Sequence, residues 1–210
     1  MSDVWKWGDS VGGNSWRTTN DILDTWSNVK GIALAQDQSA AFAKPGNWND
    51  ADMLVVGTVG WGNLHPTRLR PDEQYLHVSL WSLFSTPLLL GCDLEKLDEF
   101  TLNLLTNDEV IAVNQDALGI QATCVQTIGD LRIYVKDLED GSRVAGFCNF
   151  GLEKVDISYS ELKKLGISGK QKVRDLWRQK DIATIHADNE ALSVKVPIHG
   201  VVLYKFTPVK

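Results

Sequence analysis

Arg17 and Asp21 stand four residues apart in the run Asn14-Ser15-Trp16-Arg17-Thr18-Thr19-Asn20-Asp21, where strand-like patterning gives way to helical spacing. A guanidinium presents donors in a fixed fork, and a carboxylate can move a proton. The end of a strand that feeds a helix is where a barrel enzyme keeps its chemistry. A second polar cluster, Gly46-Asn47-Trp48-Asn49-Asp50-Ala51-Asp52-Met53, runs directly into Leu54-Val55-Val56. Trp beside Asp, Asn and Arg is the vocabulary of carbohydrate recognition. An indole face covers the C–H face of a pyranose while carboxylates and amides take its hydroxyls. Eight tryptophans in 210 residues suit that chemistry, and they equally suit core packing.

Each candidate therefore carries two readings. Asp21 is either a proton-transferring carboxyl or a cap on a helix starting near it, because Ile22, Trp26, Val29 and Ile32 follow at helical spacing. Arg17 either holds a ligand hydroxyl or pairs with Asp21. Asp50 and Asp52 either accept bonds from ligand hydroxyls or close a turn. Trp48 and Met53 either border a pocket or fill the core. The four histidines, His65, His77, His186 and His199, show no ligand spacing, and Cys92, Cys124 and Cys148 are odd in number and far apart. The sequence thus predicts no metal site, no cofactor and no disulfide framework.

The elements that must position these residues follow from periodicity. Pro45 and Gly46 break the chain before the second cluster, and 53–56 reads as a buried strand of a parallel sheet. Residues 71–84 read as a long helix with Pro71 in its first turn, 87–91 as a further buried strand, and 102–113 as a helix. Alternation of strand and helix means βα units. From about Gly119 the period changes to two. Strands are predicted at 131–136 and 143–147 around the turn 139–142, then at 155–159, 172–176, 191–196 and 201–206. The expected organisation is an α/β region over 1–118 and an antiparallel β-domain over 119–210, the latter burying its own core and outlasting the former under protease. A net charge of −6 argues against nucleic acid as a partner, and no apolar run reaches a membrane-spanning length. The first residues lack the pattern of a signal peptide.

Three motifs taken in order, the first cluster with Asp24 and Trp26, the second cluster, and Asn114-Gln115-Asp116-Ala117-Leu118-Gly119, resemble the α-galactosidases of glycoside hydrolase family 27. Asp175-Leu176-Trp177 and His199-Gly200-Val201-Val202-Leu203 resemble strands of that family's C-terminal β-sandwich. The resemblance implies the C-terminal part of a (β/α)₈ TIM barrel, its strands 6 to 8, followed by an antiparallel β-sandwich. It also implies retaining hydrolysis of an α-galactoside, with Asp21 as acid/base. Arg17 matches the motif of the sixth barrel strand, and Asp50, Asp52 and Met53 that of the seventh. Nothing in the sequence matches the motif that carries the nucleophilic Asp on the fourth strand. That gap keeps a second class open, a non-catalytic carbohydrate-binding or scaffold module. Within the family, α-N-acetylgalactosaminides and β-L-arabinopyranosides are alternative substrates. A secreted, periplasmic or lysosomal location follows from resemblance alone, and the oligomeric state is left open.

Overall fold

Helix α2 (Pro71–Leu83) is the element around which the rest is arranged. Pro71 supplies a preset φ at its first turn, and the Glu73 carboxylate reaches back to accept the Arg70 N–H at 2.7 Å. Nearly every side chain from Glu73 to Leu83 is buried, so α2 is covered on all sides rather than along one stripe. Several of its buried polar groups are bonded across to other elements, whereas His77 Nδ1 and the Ser82 hydroxyl have no partner among the described residues. Gln74 accepts the Gly57 N–H, and the Ser79 hydroxyl accepts the Trp177 indole N–H while donating to the Tyr75 carbonyl.

The computed structural model describes residues 3–60 and 62–209, and shows a mixed helix and sheet structure with a sheet-rich C-terminal region. In the first part, β1 (Ser15–Arg17) lies parallel to β2 (Trp48–Asp50), with Arg17 opposite Asp50. Around them run α1 (Trp26–Ala35), the short hairpin β3 (Thr58–Val59) and β4 (His65–Pro66), then α2, α3 (Glu99–Leu105) and α4 (Asp108–Asn114).

Four details depart from the sequence reading, each for a local reason. The first helix begins at Trp26 rather than near Asp21, because the Ile22 and Leu23 N–H groups are taken by the Asp52 and Asn28 side chains. The apolar run 53–56 is buried, Met53 only in part, but is not a strand. Asp52 sits at φ 75° and turns the chain, so β2 ends at Asp50 and only Leu54 keeps a parallel bridge, to Leu90. The segment 87–91 is not a buried strand either, since Leu89 and Leu90 are 52% and 46% exposed. Gly91 passes Met53 so closely that a Cβ there would stand 2.5 Å from the sulfur. The predicted helix 102–113 is two helices, because Asp98 caps α3 through the Thr101 N–H and Asn107 caps α4 through the Val110 N–H.

The C-terminal region is an antiparallel sheet in the order β10-β9-β12-β7-β6-β5. Its strands are β5 (Thr123–Ile128), β6 (Leu131–Asp137), β7 (Arg143–Asn149), β9 (Lys170–Asp175), β10 (Lys180–His186) and β12 (Val201–Pro208). A separate pair, β8 (Val155–Tyr159) with β11 (Leu192–Val196), packs Tyr159, Val194 and Val196 against Ile133, Phe147 and Phe206 on one face. The edge strands β5 and β10 escaped the sequence reading. Each carries an irregular register that blurs its alternation.

The opposite face of this sheet is not free. Tyr134, Val144, Cys148 and Leu203 belong to the same core cluster as Leu80, Trp81, Leu83 and Phe84. Gly146 allows the contact, since a Cβ there would meet Leu83 at 2.6 Å. Lys136, 1% exposed, extends from β6 to donate to the Val113 carbonyl at 2.6 Å and to the Ser85 hydroxyl, tying the ends of α2 and α4 to the sheet. Burial pushes its ammonium down to about 8. One face of the sheet thus shares its core with α2 and is not buried by the sheet alone. The two regions are expected to unfold together. Native-state hydrogen exchange should give the Leu80 and Val144 amides the same opening free energy, whereas independent units would separate them.

Candidate functional site

Asp52 gathers the rim of the parallel strands into one cluster. It is 5% exposed, and its Oδ2 accepts the Ile22 N–H at 2.8 Å and meets the Arg17 guanidinium at 2.7 Å. Its Oδ1 accepts the Met53 N–H at 2.8 Å, while its own N–H donates to Asp50 Oδ1 at 2.8 Å. Charge-assisted bonds of this kind exceed neutral ones in strength and offset the left-handed backbone of a non-glycine residue.

Arg17 bridges from Asp52 to Asp21, with its terminal nitrogen 3.3 Å from Asp21 Oδ1. The Asp21 side chain is 96% exposed, so capping of a helix does not account for it. The segment that bears it is held on both sides. Thr18 is bonded through its N–H to the Asp50 carbonyl, and the Ile22 N–H to Asp52. Further along, Asp24 accepts the Arg68 N–H at 2.9 Å and pairs with its guanidinium. Burial works against the Asp24 anion, yet the bonds from Arg68 hold its carboxyl below the usual range. An exposed carboxylate on a braced segment, beside a half-exposed guanidinium, can exchange a proton with a ligand while Arg17 orients it.

The other candidates fall in three places. Asp50 is half-buried beside Arg17 and Asp52. Burial pushes its carboxyl up, and the Asp52 N–H and Arg17 offset only part of that. Met53 follows Asp52 and lines a separate cavity of about 250 Å³ with Leu64, Leu90 and Cys92. Trp48 stands at the start of β2, two residues before Asp50. It lines another cavity of about 470 Å³ with Pro45, Pro87 and Gln115, and its ring lies close to Gly119. The structure therefore brings Arg17, Asp21, Asp50 and Asp52 together, sets Met53 beside them, and separates Trp48. A cavity of about 780 Å³ opens next to the cluster, lined by Arg17, Thr19, Asn20 and Asn28. Among the described residues no group of three or more His, Cys, Asp or Glu side chains forms a metal cluster.

Two contacts were invisible in the sequence. The Ile22 backbone N–H carries no side-chain signal. Asp24 and Arg68 lie 44 residues apart, and no spacing rule relates them.

The sequence profile described as Alpha galactosidase A matches residues 10–116, and the profile of the Alpha galactosidase C-terminal beta sandwich domain matches residues 128–206. The chain belongs to this family of glycoside hydrolases, family 27. It is 38% identical to α-galactosidase 2 of Arabidopsis thaliana across 99% of this chain and 50% of that protein. Identity is again 38% to a probable α-galactosidase of Dictyostelium discoideum, across 97% of this chain and 51% of the relative. Among solved structures it is similar to the arabinose complex of a β-L-arabinopyranosidase from Geobacillus stearothermophilus. That match has a TM-score of 0.88 and 30% identity, with 100% of this chain and 48% of that one covered. For α-galactosidase I of Mortierella vinacea the TM-score is 0.83 and the identity 26%, over 97% and 55% of the two chains. The chain spans about half the length of the curated relatives it matches.

Asp21→Ala should change stability by less than about 0.5 kcal/mol, because the side chain is solvated. Asp52→Ala, which leaves the Ile22 and Met53 N–H groups without acceptors, should cost about 1–3 kcal/mol. Urea unfolding of the two variants checks both figures, and equal losses would contradict this geometry.

Proposed function

We propose that this chain supplies the acid/base side of a retaining α-galactosidase that removes terminal α-D-galactosyl residues. The observation that carries the reading is Asp21, almost fully solvated yet fixed beside Arg17 at the ends of two parallel strands. That placement suits strands 6 to 8 of a (β/α)₈ barrel followed by a β-sandwich, with the barrel part over 1–118 and the sandwich over 119–210. In a double displacement one carboxylate attacks the anomeric carbon. The other protonates the leaving oxygen, then deprotonates water. Asp21 takes the second role. The attacking carboxylate has no counterpart in this sequence.

In this reading Arg17 donates to a sugar hydroxyl with the part of its fork that Asp52 and Asp21 leave free. Asp52 Oδ1, which has one N–H donor, accepts a hydroxyl with its remaining lone pair. Asp50 accepts beside Arg17, and Met53 adjoins the site through its N–H bond to Asp52, bordering a sugar only if the ligand reaches the cavity its side chain lines. Trp48 contributes only if a ligand extends to the cavity at the other end of β2.

The relatives leave the sugar open, because a structural match at 30% identity is a β-L-arabinopyranosidase and curated relatives are α-galactosidases. A non-catalytic sugar-binding module is the second reading, since the cavity of about 780 Å³ beside Arg17 could hold a sugar without turnover. The purified 210-residue chain should show no turnover of an activated aryl α-galactoside. In a full-length protein containing this chain, Asp21→Ala should lower kcat/KM on poor leaving groups by about 10²–10⁴-fold, and far less on activated aryl substrates. Azide should restore part of the latter. Near-normal hydrolysis of natural galactosides by Asp21→Ala would overturn the acid/base assignment.

A further inference from the structure

Two buried side chains of α2 reach the loop that carries Asp52 from behind. Trp81, 0% exposed, donates its indole N–H to the Asp52 carbonyl at 2.6 Å. His77, also 0% exposed, accepts the Val55 N–H on Nε2 at 3.1 Å. Their spacing of four residues puts both on one face of the helix, with the rings edge-on at 4.1 Å. Burial pushes the imidazole down to about 3, so the ring is neutral and Nε2 is free to accept.

Asp52 is the residue these bonds constrain. Its φ of 75° is a conformation that L side chains rarely hold without surrounding support. Relaxation to extended backbone would rotate its carboxylate away from the Ile22 N–H and Arg17, releasing the segment that bears Asp21. The Trp81 bond fixes the peptide plane that follows Asp52, and the His77 bond fixes the chain three residues on. A core filler would need neither polar atom. Here both polar atoms point at the backbone of one loop.

We propose that Trp81 and His77 are positioning residues of the Arg17–Asp21 site, acting through the backbone of Asp52. The functional meaning rests on the reading of Asp21 and Arg17 as the site, whereas the mechanical claim does not.

Native-state hydrogen exchange on the full chain tests it, comparing Trp81→Phe, His77→Leu and His77→Gln with the parent. Phe keeps an edge-on ring and loses the donor. Gln places an amide oxygen where Nε2 accepts, and Leu does not. Exchange at the Ile22 and Met53 amides should rise by about tenfold or more in Trp81→Phe and in His77→Leu, beyond any change at Val144 and Phe147, which report global opening. His77→Gln should stay within about threefold of the parent at all four amides. Ile22 and Met53 moving only in step with Val144 and Phe147, or not moving, would overturn the proposal. Should Trp81→Phe fail to fold, the His77 pair decides it. Sugar turnover is not read, so failure of the acid/base assignment would leave this outcome unaffected.

Discussion

The carboxylate of Asp52 is the constraint on which the rim depends. It is buried, and it is surrounded by N–H donors from three directions: Ile22 from the segment after β1, Met53 from its own turn, and the Arg17 guanidinium. A buried carboxylate without such partners would be strongly unfavourable. Here desolvation is offset by bonds that each draw another segment inward. The product is a rim whose two outward-facing groups, Arg17 and Asp21, are ordered by a third that is nearly buried.

Behind this rim, α2 couples the site to the C-terminal sheet. One face of the helix holds the Asp52 loop through Trp81 and His77, while its last turn lies on Gly146 and beside the buried Lys136. Glu73 adds a third link, accepting from His199 at 2.7 Å, and His199 in turn stacks on Trp26 of α1 at 4.2 Å. The sheet therefore acts as the floor on which α2 rests, which explains why its second face is apolar. A protein that needs a strained turn to stay fixed gains from a helix immobilised on every side.

Much of this was legible in the chain and some was not. Arg17, Asp21, Asp50 and Asp52 could be singled out because charged residues bordering apolar runs are locally conspicuous. Helix α2 and strands β6, β7 and β8 followed from strong periodicity. The start of α1 was misplaced because the hydrogen bonds that hold Ile22 and Leu23 out of the helix come from Asp52 and Asn28, and propensity does not register tertiary partners. The run 53–56 looked like a strand because burial and strand structure share an apolar signature, and the left-handed Asp52 that separates them has no mark in composition. Lys136 read as an ordinary residue of an alternating strand, although it faces the ends of two helices. Nothing in the sequence singled out Trp81 or His77 as partners of the Asp52 loop. Their polar atoms acquire meaning only once the loop above them is in place.

A double-mutant cycle between Arg17→Ala and Asp52→Ala tests the central claim most directly, because it isolates the interaction said to organise the rim. With stabilities read from urea unfolding, the coupling energy should exceed about 0.5 kcal/mol in the favourable sense, the range expected of contacting charged groups. Additivity within about 0.3 kcal/mol would mean that the two side chains do not depend on each other. The account of Asp52 as the clamp for Arg17 and Asp21 would then be contradicted.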